Sequence, residues 1–185
     1  MARVPSVMIP LGTKAPAFNL PDVQDGKYHT LNELRGTRAT LIAFVCNHCP
    51  FVKHINPQLV QLAGDYANKG VRIIAISSND IIQYPEDGPE QMKKVAATLG
   101  YSFPYLFDET QEVAKSYQAV CTPDFFLYDA ALKLVYRGQL DESRPGNDIP
   151  VTGRDIRSAL DEMLLGKAVS EFQKPGIGCN IKWKE

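Results

Sequence analysis

Apolar positions along the chain change period several times, and each change marks an element. The runs "ATLIAFV" (39–45) and "VRIIAIS" (71–77) are apolar on both faces, the pattern of strands buried at the centre of an α/β sheet. Between them Leu59, Leu62, Ala63 and Tyr66 recur at helical spacing, and Gly70 closes the run. The pattern predicts a helix that begins at or just after Cys49 and is interrupted at Asn56-Pro57. Pro50 suits its first turn, where a missing N–H forfeits no hydrogen bond. Met92, Val95, Ala96 and Leu99 mark a second helix. Asp108 with Gln111 reads as a capping box that opens a short helix through Tyr117. "DFFLYD" and "KLVYRG" read as paired strands around a turn at 129–132, and Ile156, Ala159, Leu160, Met163 and Leu164 as the stripe of a last helix ended by Gly166. Ahead of these, residues 16–36 alternate over short stretches about the turn "QDG" and predict an N-terminal hairpin. The tail beyond Gly166 shows no clear period, and Trp183 is expected to anchor it by burying its ring.

Strands alternating with helices and then an antiparallel pair predict an α/β fold, a central mixed sheet flanked by helices on both faces. The 185 residues, 44% hydrophobic, suit one domain over 1–185, with its core at about 14–166 and a C-terminal tail over 167–185. A formal net charge of -1, scattered without a basic stripe, points away from nucleic acid and from an anionic membrane surface. The N-terminal "MARVPSVMIPLGTKAP" is broken by Pro5 and Pro10, so it reads as neither a signal peptide nor a membrane span. The expectation is a cytoplasmic protein.

Four cysteines, Cys46, Cys49, Cys121 and Cys179, are too few for a disulfide scaffold. In a reducing compartment a close pair is catalytic or metal-binding more often than a static staple. The pair Cys46-Asn47-His48-Cys49 lies at the carboxyl end of the first buried strand, the edge where open α/β sheets build sites. A helix N-terminus lowers a thiol pKa through its free N–H groups and dipole. Cys46 is expected there, exposed and attacking, with Cys49 one turn further in as the shielded resolving thiol. His48 is placed to favour the Cys46 thiolate. His54 and His29 read as surface residues. A zinc site needs a distal pair of ligands, and none is spaced for it, so no metal and no cofactor are expected.

A C-x-x-C at a strand-to-helix junction, with Thr122-Pro123 ahead of a later strand, resembles the thioredoxin superfamily and specifically its redoxin branch of AhpC/TSA and TlpA/ResA-like proteins. The resemblance rests on "APAFNLPDVQDGKYHTLNELRG", "CNHCP", "KGVRIIAISSND", "FPYLFDETQEVAKSYQAV" and "CTPDFFLYDAALKLVYRG", and runs to about residue 165. It implies a thioredoxin fold with Pro123 cis opposite the cysteines and Thr122 pairing with bound substrate peptide. Two departures follow. Thr40 and Val45 stand where thioredoxins carry a buried aspartate and a tryptophan, and the resemblance to ResA-like proteins puts Asp80 forward as the acid that takes the Cys49 proton. Ala39 and Ala43 stand where peroxiredoxins carry a proline and a hydroxyl that positions peroxide. The expected activity is thiol-disulfide exchange, with thiol peroxidase as the alternative and a metal-binding or non-catalytic interaction module behind it. Cys121 and Cys179 are kept as candidate further redox thiols. Expected partners are protein or small-molecule disulfides and an unidentified reductant, with the chain a monomer or homodimer.

Overall fold

The computed structural model describes residues 3–184. In chain order the elements are β1 (Arg3–Pro5), β2 (Asn19–Pro21), β3 (Tyr28–Thr30), α1 (Leu31–Leu34), β4 (Ala39–Phe44), α2 (Pro50–Tyr66), β5 (Val71–Ser77), α3 (Pro89–Leu99), β6 (Tyr105–Phe107), α4 (Glu112–Tyr117), β7 (Cys121–Thr122), β8 (Asp124–Asp129), β9 (Leu134–Gly138), α5 (Arg154–Leu164) and β10 (Ile177–Asn180). The central sheet runs β6-β5-β4-β8-β9. β4 pairs parallel with β5 and antiparallel with β8, which makes the sheet mixed.

Every residue of β4 is buried, because its period-two alternation feeds two cores. Leu41 and Ala43 pack with Leu59 and Leu62 of α2 and Ile156 and Leu160 of α5. Ile42 and Phe44 face the opposite way, onto Leu31, Ala114 and Tyr117. The predicted hairpin is present as β2 paired with β3, and the Thr122-Pro123 peptide bond is cis. Helices on both faces of a mixed sheet, with this cis-proline beside the cysteine loop, make the thioredoxin fold. No described helix is long and apolar enough to cross a membrane.

Three local expectations need correction. Pro57 does not interrupt α2, which runs unbroken from Pro50 to Tyr66. A proline inside a helix costs about 3 kcal/mol. Against that, α2 buries Phe51, Val52, Ile55, Leu59, Leu62, Ala63 and Tyr66, each large side chain contributing roughly 1.5–3 kcal/mol. Burial on both sides of the proline carries the helix through it. The capping box is not formed, because Gln111 is itself the N-cap of α4. Asp108 accepts from the Ala114 N–H at 2.9 Å, and Gln111 does not reach back to it. Its amide donates to the carbonyls of Ser78 and Lys182 at 2.6 and 2.8 Å, because the C-terminal segment lies against it.

That segment is the third correction. The tail without a clear period holds a strand, β10, which lies between β1 and β7 in a second, antiparallel sheet. Ile181 is 1% exposed and packs into the second core, whereas Trp183 stays 38% exposed. Ile181, not the tryptophan, is the anchor. Gly178 is needed for the close approach, because a Cβ there would stand 2.1 Å from the Thr122 carbonyl oxygen.

Candidate redox site

β4 hands the chain to the site through Val45, whose N–H donates to Ile76 at the end of β5. Cys46, Asn47 and His48 then form a short loop, and Cys49 takes the N-cap of α2 with Pro50 behind it. Cys49, not Cys46, therefore holds the helix terminus. The expected contrast in exposure is also absent, since Cys46 is 1% and Cys49 0% exposed. The reason is Asp87, itself fully buried in a turn between β5 and α3. Its Oδ1 accepts from the backbone N–H groups of Asn47 and His48 at 2.7 and 3.1 Å. The loop is thereby wrapped over the carboxylate before the helix can start.

Asp87 Oδ2 accepts from His48 Nδ1 at 2.5 Å and from Asn79 Nδ2 at 2.8 Å. The imidazole stacks on Tyr84, ring centres 5.2 Å apart, and its Nδ1 lies 4.0 Å from Cys46 Sγ. On the other side of Cys46, Thr122 Oγ1 is 3.4 Å away. Cys49 points further in. Its sulfur is 3.1 Å from the Thr122 carbonyl oxygen and 2.8 Å from Cys179 Sγ.

These neighbours divide the thiols. A hydrogen bond from Cys46 holds Cys49 at about 5, against burial and with help from Cys179. Cys46 is pushed well up as the proton-holding partner, then by burial and by the Asp87 charge. Both shifts run in the direction that favours negative charge on Cys49, at the helix N-cap, over Cys46. His48 is raised by its hydrogen bond to Asp87. Burial opposes ionisation of Asp87, but hydrogen bonds from His48 and Asn79 outweigh it and hold the carboxyl below its usual range.

The His48–Asp87 pair therefore stabilises the fold between those two values. Its contribution is complete below about 6.5, the ordinary imidazole value, and is lost as pH rises through the raised value of folded His48. At the acid end it fades as pH falls through the lowered value of Asp87. Asp87→Asn removes the charge that raises His48, so the ring should titrate at lower pH, as followed by its NMR proton shifts. An unchanged titration would mean that Asp87 does not control His48.

Thr122 lies against both cysteines, and its bond to Pro123 is cis. Asp80 does not lie there. Its Oδ1 accepts from the Ile82 N–H at 3.0 Å in a local turn, and the acid at the cysteine loop is Asp87. Cys121 is buried near the Ser6 hydroxyl, 3.8 Å away, and burial pushes its thiol up. His54 bonds Ser143 and His29 bonds Asp25. Cys46, His48 and Asp87 bring one ligand atom each within 4.8 Å. Four N–H donors already occupy that carboxylate, however, and a closed zinc site takes four ligands. Asp87 carried one faint signal in the sequence, a charged residue in the turn "YPEDGP". Nothing there ties it to residues some forty positions earlier.

The profile of the AhpC/TSA family matches residues 11–137. A provisionally named peroxiredoxin of Mycobacterium tuberculosis is 30% identical over 108 residues, 58% of this chain and 63% of its own length. The thiol-disulfide oxidoreductase ResA of Halalkalibacterium halodurans is 30% identical over 107 residues, 57% of this chain and 55% of its own length. The chain thus spans less than two thirds of the length of these curated relatives. The crystal structure of an uncharacterized conserved protein from Geobacillus kaustophilus superimposes with a TM-score of 0.98 at 62% identity, covering 100% of this chain and 97% of the other.

Proposed function

This chain belongs to the AhpC/TSA family, and within it we propose a thiol-disulfide oxidoreductase that works through Cys46 and Cys49. The observation that carries the reading is a pair of buried thiols set against Thr122, Cys46 3.4 Å from its hydroxyl and Cys49 3.1 Å from its carbonyl oxygen, just ahead of the cis bond to Pro123. Cys46 faces the half-buried His48 and the Thr122 hydroxyl. It passes its proton to the Cys49 thiolate and attacks a substrate disulfide, joining one substrate sulfur and expelling the other. The proton on Cys49 neutralises the departing thiolate. Cys49 then attacks Cys46, closes the Cys46–Cys49 disulfide and expels the first substrate sulfur. Two electrons pass to the substrate, so the dithiol needs no cofactor. An imidazolium at His48 favours charge on Cys46 during the attack.

A peroxidase reading is weaker, because Ala43 leaves no hydroxyl three residues before Cys46 to position a peroxide. Substrates on this reading are protein or small-molecule disulfides, with a separate reductant to restore the dithiol. The low cysteine density suits a reducing compartment, so we place the protein in the cytoplasm, with neither nucleic acid nor membrane as a partner.

The test is rapid mixing of the fully reduced protein with one equivalent of hydrogen peroxide and, separately, of a disulfide-bonded peptide. Disulfide exchange should yield a Cys46–Cys49 linkage, with peroxide consumed no faster than by an ordinary free thiol. Millisecond thiol loss to peroxide, ending in sulfenic acid at Cys46, would replace this reading with the peroxidase.

A further inference from the structure

Cys49 touches two thiols, not one. β10 runs antiparallel to β7 with Cys179 opposite Thr122, the residue that precedes the cis-proline. The absence of a side chain at Gly178 lets the strands close until the Cys179 and Cys49 sulfurs lie 2.8 Å apart. A disulfide bond is about 2.05 Å long, so joining them moves the sulfurs by less than about 1 Å. Cys179 is buried like the other two thiols, and its position falls outside the matched residues 11–137. Its sulfur is held against another sulfur and nothing external.

We propose that Cys179 is a third redox thiol, attacking the Cys49 sulfur of the Cys46–Cys49 disulfide to form Cys49–Cys179 and release Cys46 as a thiolate. This rests on the exchange reading above for the origin of the first disulfide. The step breaks one S–S bond and forms another. The attacking thiolate and the departing one balance, and no outside oxidant is required. Cys179 is a poor nucleophile while Cys49 is charged, because burial and then the neighbouring Cys49 hold its thiol up at about 12. Once Cys49 is bonded to Cys46 that charge is gone, and Cys179 ionises more readily. The relay moves the disulfide from Cys46 to Cys179 and returns a free Cys46 beside His48 and the Thr122 hydroxyl.

The experiment is to treat reduced Cys46→Ser protein with one equivalent of diamide, which takes up the two thiol hydrogens. Remaining thiols are alkylated and the disulfides mapped by peptide mass. Cys49 and Cys179 should be lost as free thiols together and recovered as one linked peptide pair, with Cys121 alkylated. Recovery of Cys49 and Cys179 both alkylated would overturn the proposal. Should the variant fold poorly, wild-type protein given one equivalent of oxidant and quenched in acid supplies the same reading. The Cys49–Cys179 peptide should accompany Cys46–Cys49, and its complete absence would overturn the relay. Failure of the exchange reading shows elsewhere, as no reaction with a disulfide peptide by wild type and Cys179→Ser alike. The linkage is read directly and stands or falls on its own.

Discussion

Cys46→Ser protein should lose reaction with disulfide substrates by on the order of 10³-fold or more, the scale of removing a nucleophile, while melting close to the wild type. The serine oxygen holds its proton at neutral pH and cannot join a substrate sulfur through a disulfide. Cys49, though held at about 5, does not substitute, because it is turned toward the Thr122 carbonyl and Cys179. Cys49→Ser should behave differently. Its Cys46 still attacks, but nothing beside it can break the mixed disulfide, so the substrate remains attached and intact mass rises by one substrate half. Cys179 offers no rescue there, since its contact is with Cys49. The pair of variants separates the roles. If Cys46→Ser kept near-normal exchange while Cys49→Ser lost it, Cys49 would be the attacking thiol and the assignment would reverse.

The parts that were legible in the sequence are those whose physics is local. β4 and β5 could be read because a run apolar on both faces is stable only inside a sheet. The C-x-x-C could be read because two cysteines three apart at a strand end are neighbours whatever the rest of the chain does. The break expected at Pro57 fails for the converse reason: helix propensity is local, while the apolar face that keeps α2 whole is completed by strands and helices elsewhere. Asp87 and Cys179 carry no local mark at all. One lies some forty residues after the cysteines and the other 130 residues beyond Cys49, and only the folded chain brings them in. The roles of Cys46 and Cys49 in the electrostatics followed from the same omission. Without Asp87 in place, the loop reads as the first turn of the helix and Cys46 as the residue at the dipole.

Asp124 is another residue whose importance is invisible along the chain, and Asp124→Ala should be the most destabilising single change, by about 3–5 kcal/mol. It directly follows the cis-proline, and its two oxygens grip Arg137 Nη1 and Nη2 at 2.5 and 2.9 Å with both side chains fully buried. The Ser6 hydroxyl adds a bond at 2.6 Å and the Val120 N–H another at 3.3 Å, so one carboxylate ties β9, the β1 segment and the loop into β7. The guanidinium also donates to the Phe125 carbonyl and lies 3.9 Å from the Phe126 ring centre. Removing the carboxylate leaves that cation in a dry core with too few partners, and desolvation then dominates. For a domain of this size each kcal/mol lowers Tm by about 2–4 °C, which thermal unfolding by circular dichroism resolves easily. Removing both charges tests the cause. Arg137→Met in the Asp124→Ala background should recover much of the loss, because the stranded charge rather than the missing attraction carries most of the cost. A double variant as unstable as the sum of its parts would show instead that Asp124 acts through Ser6 and Val120.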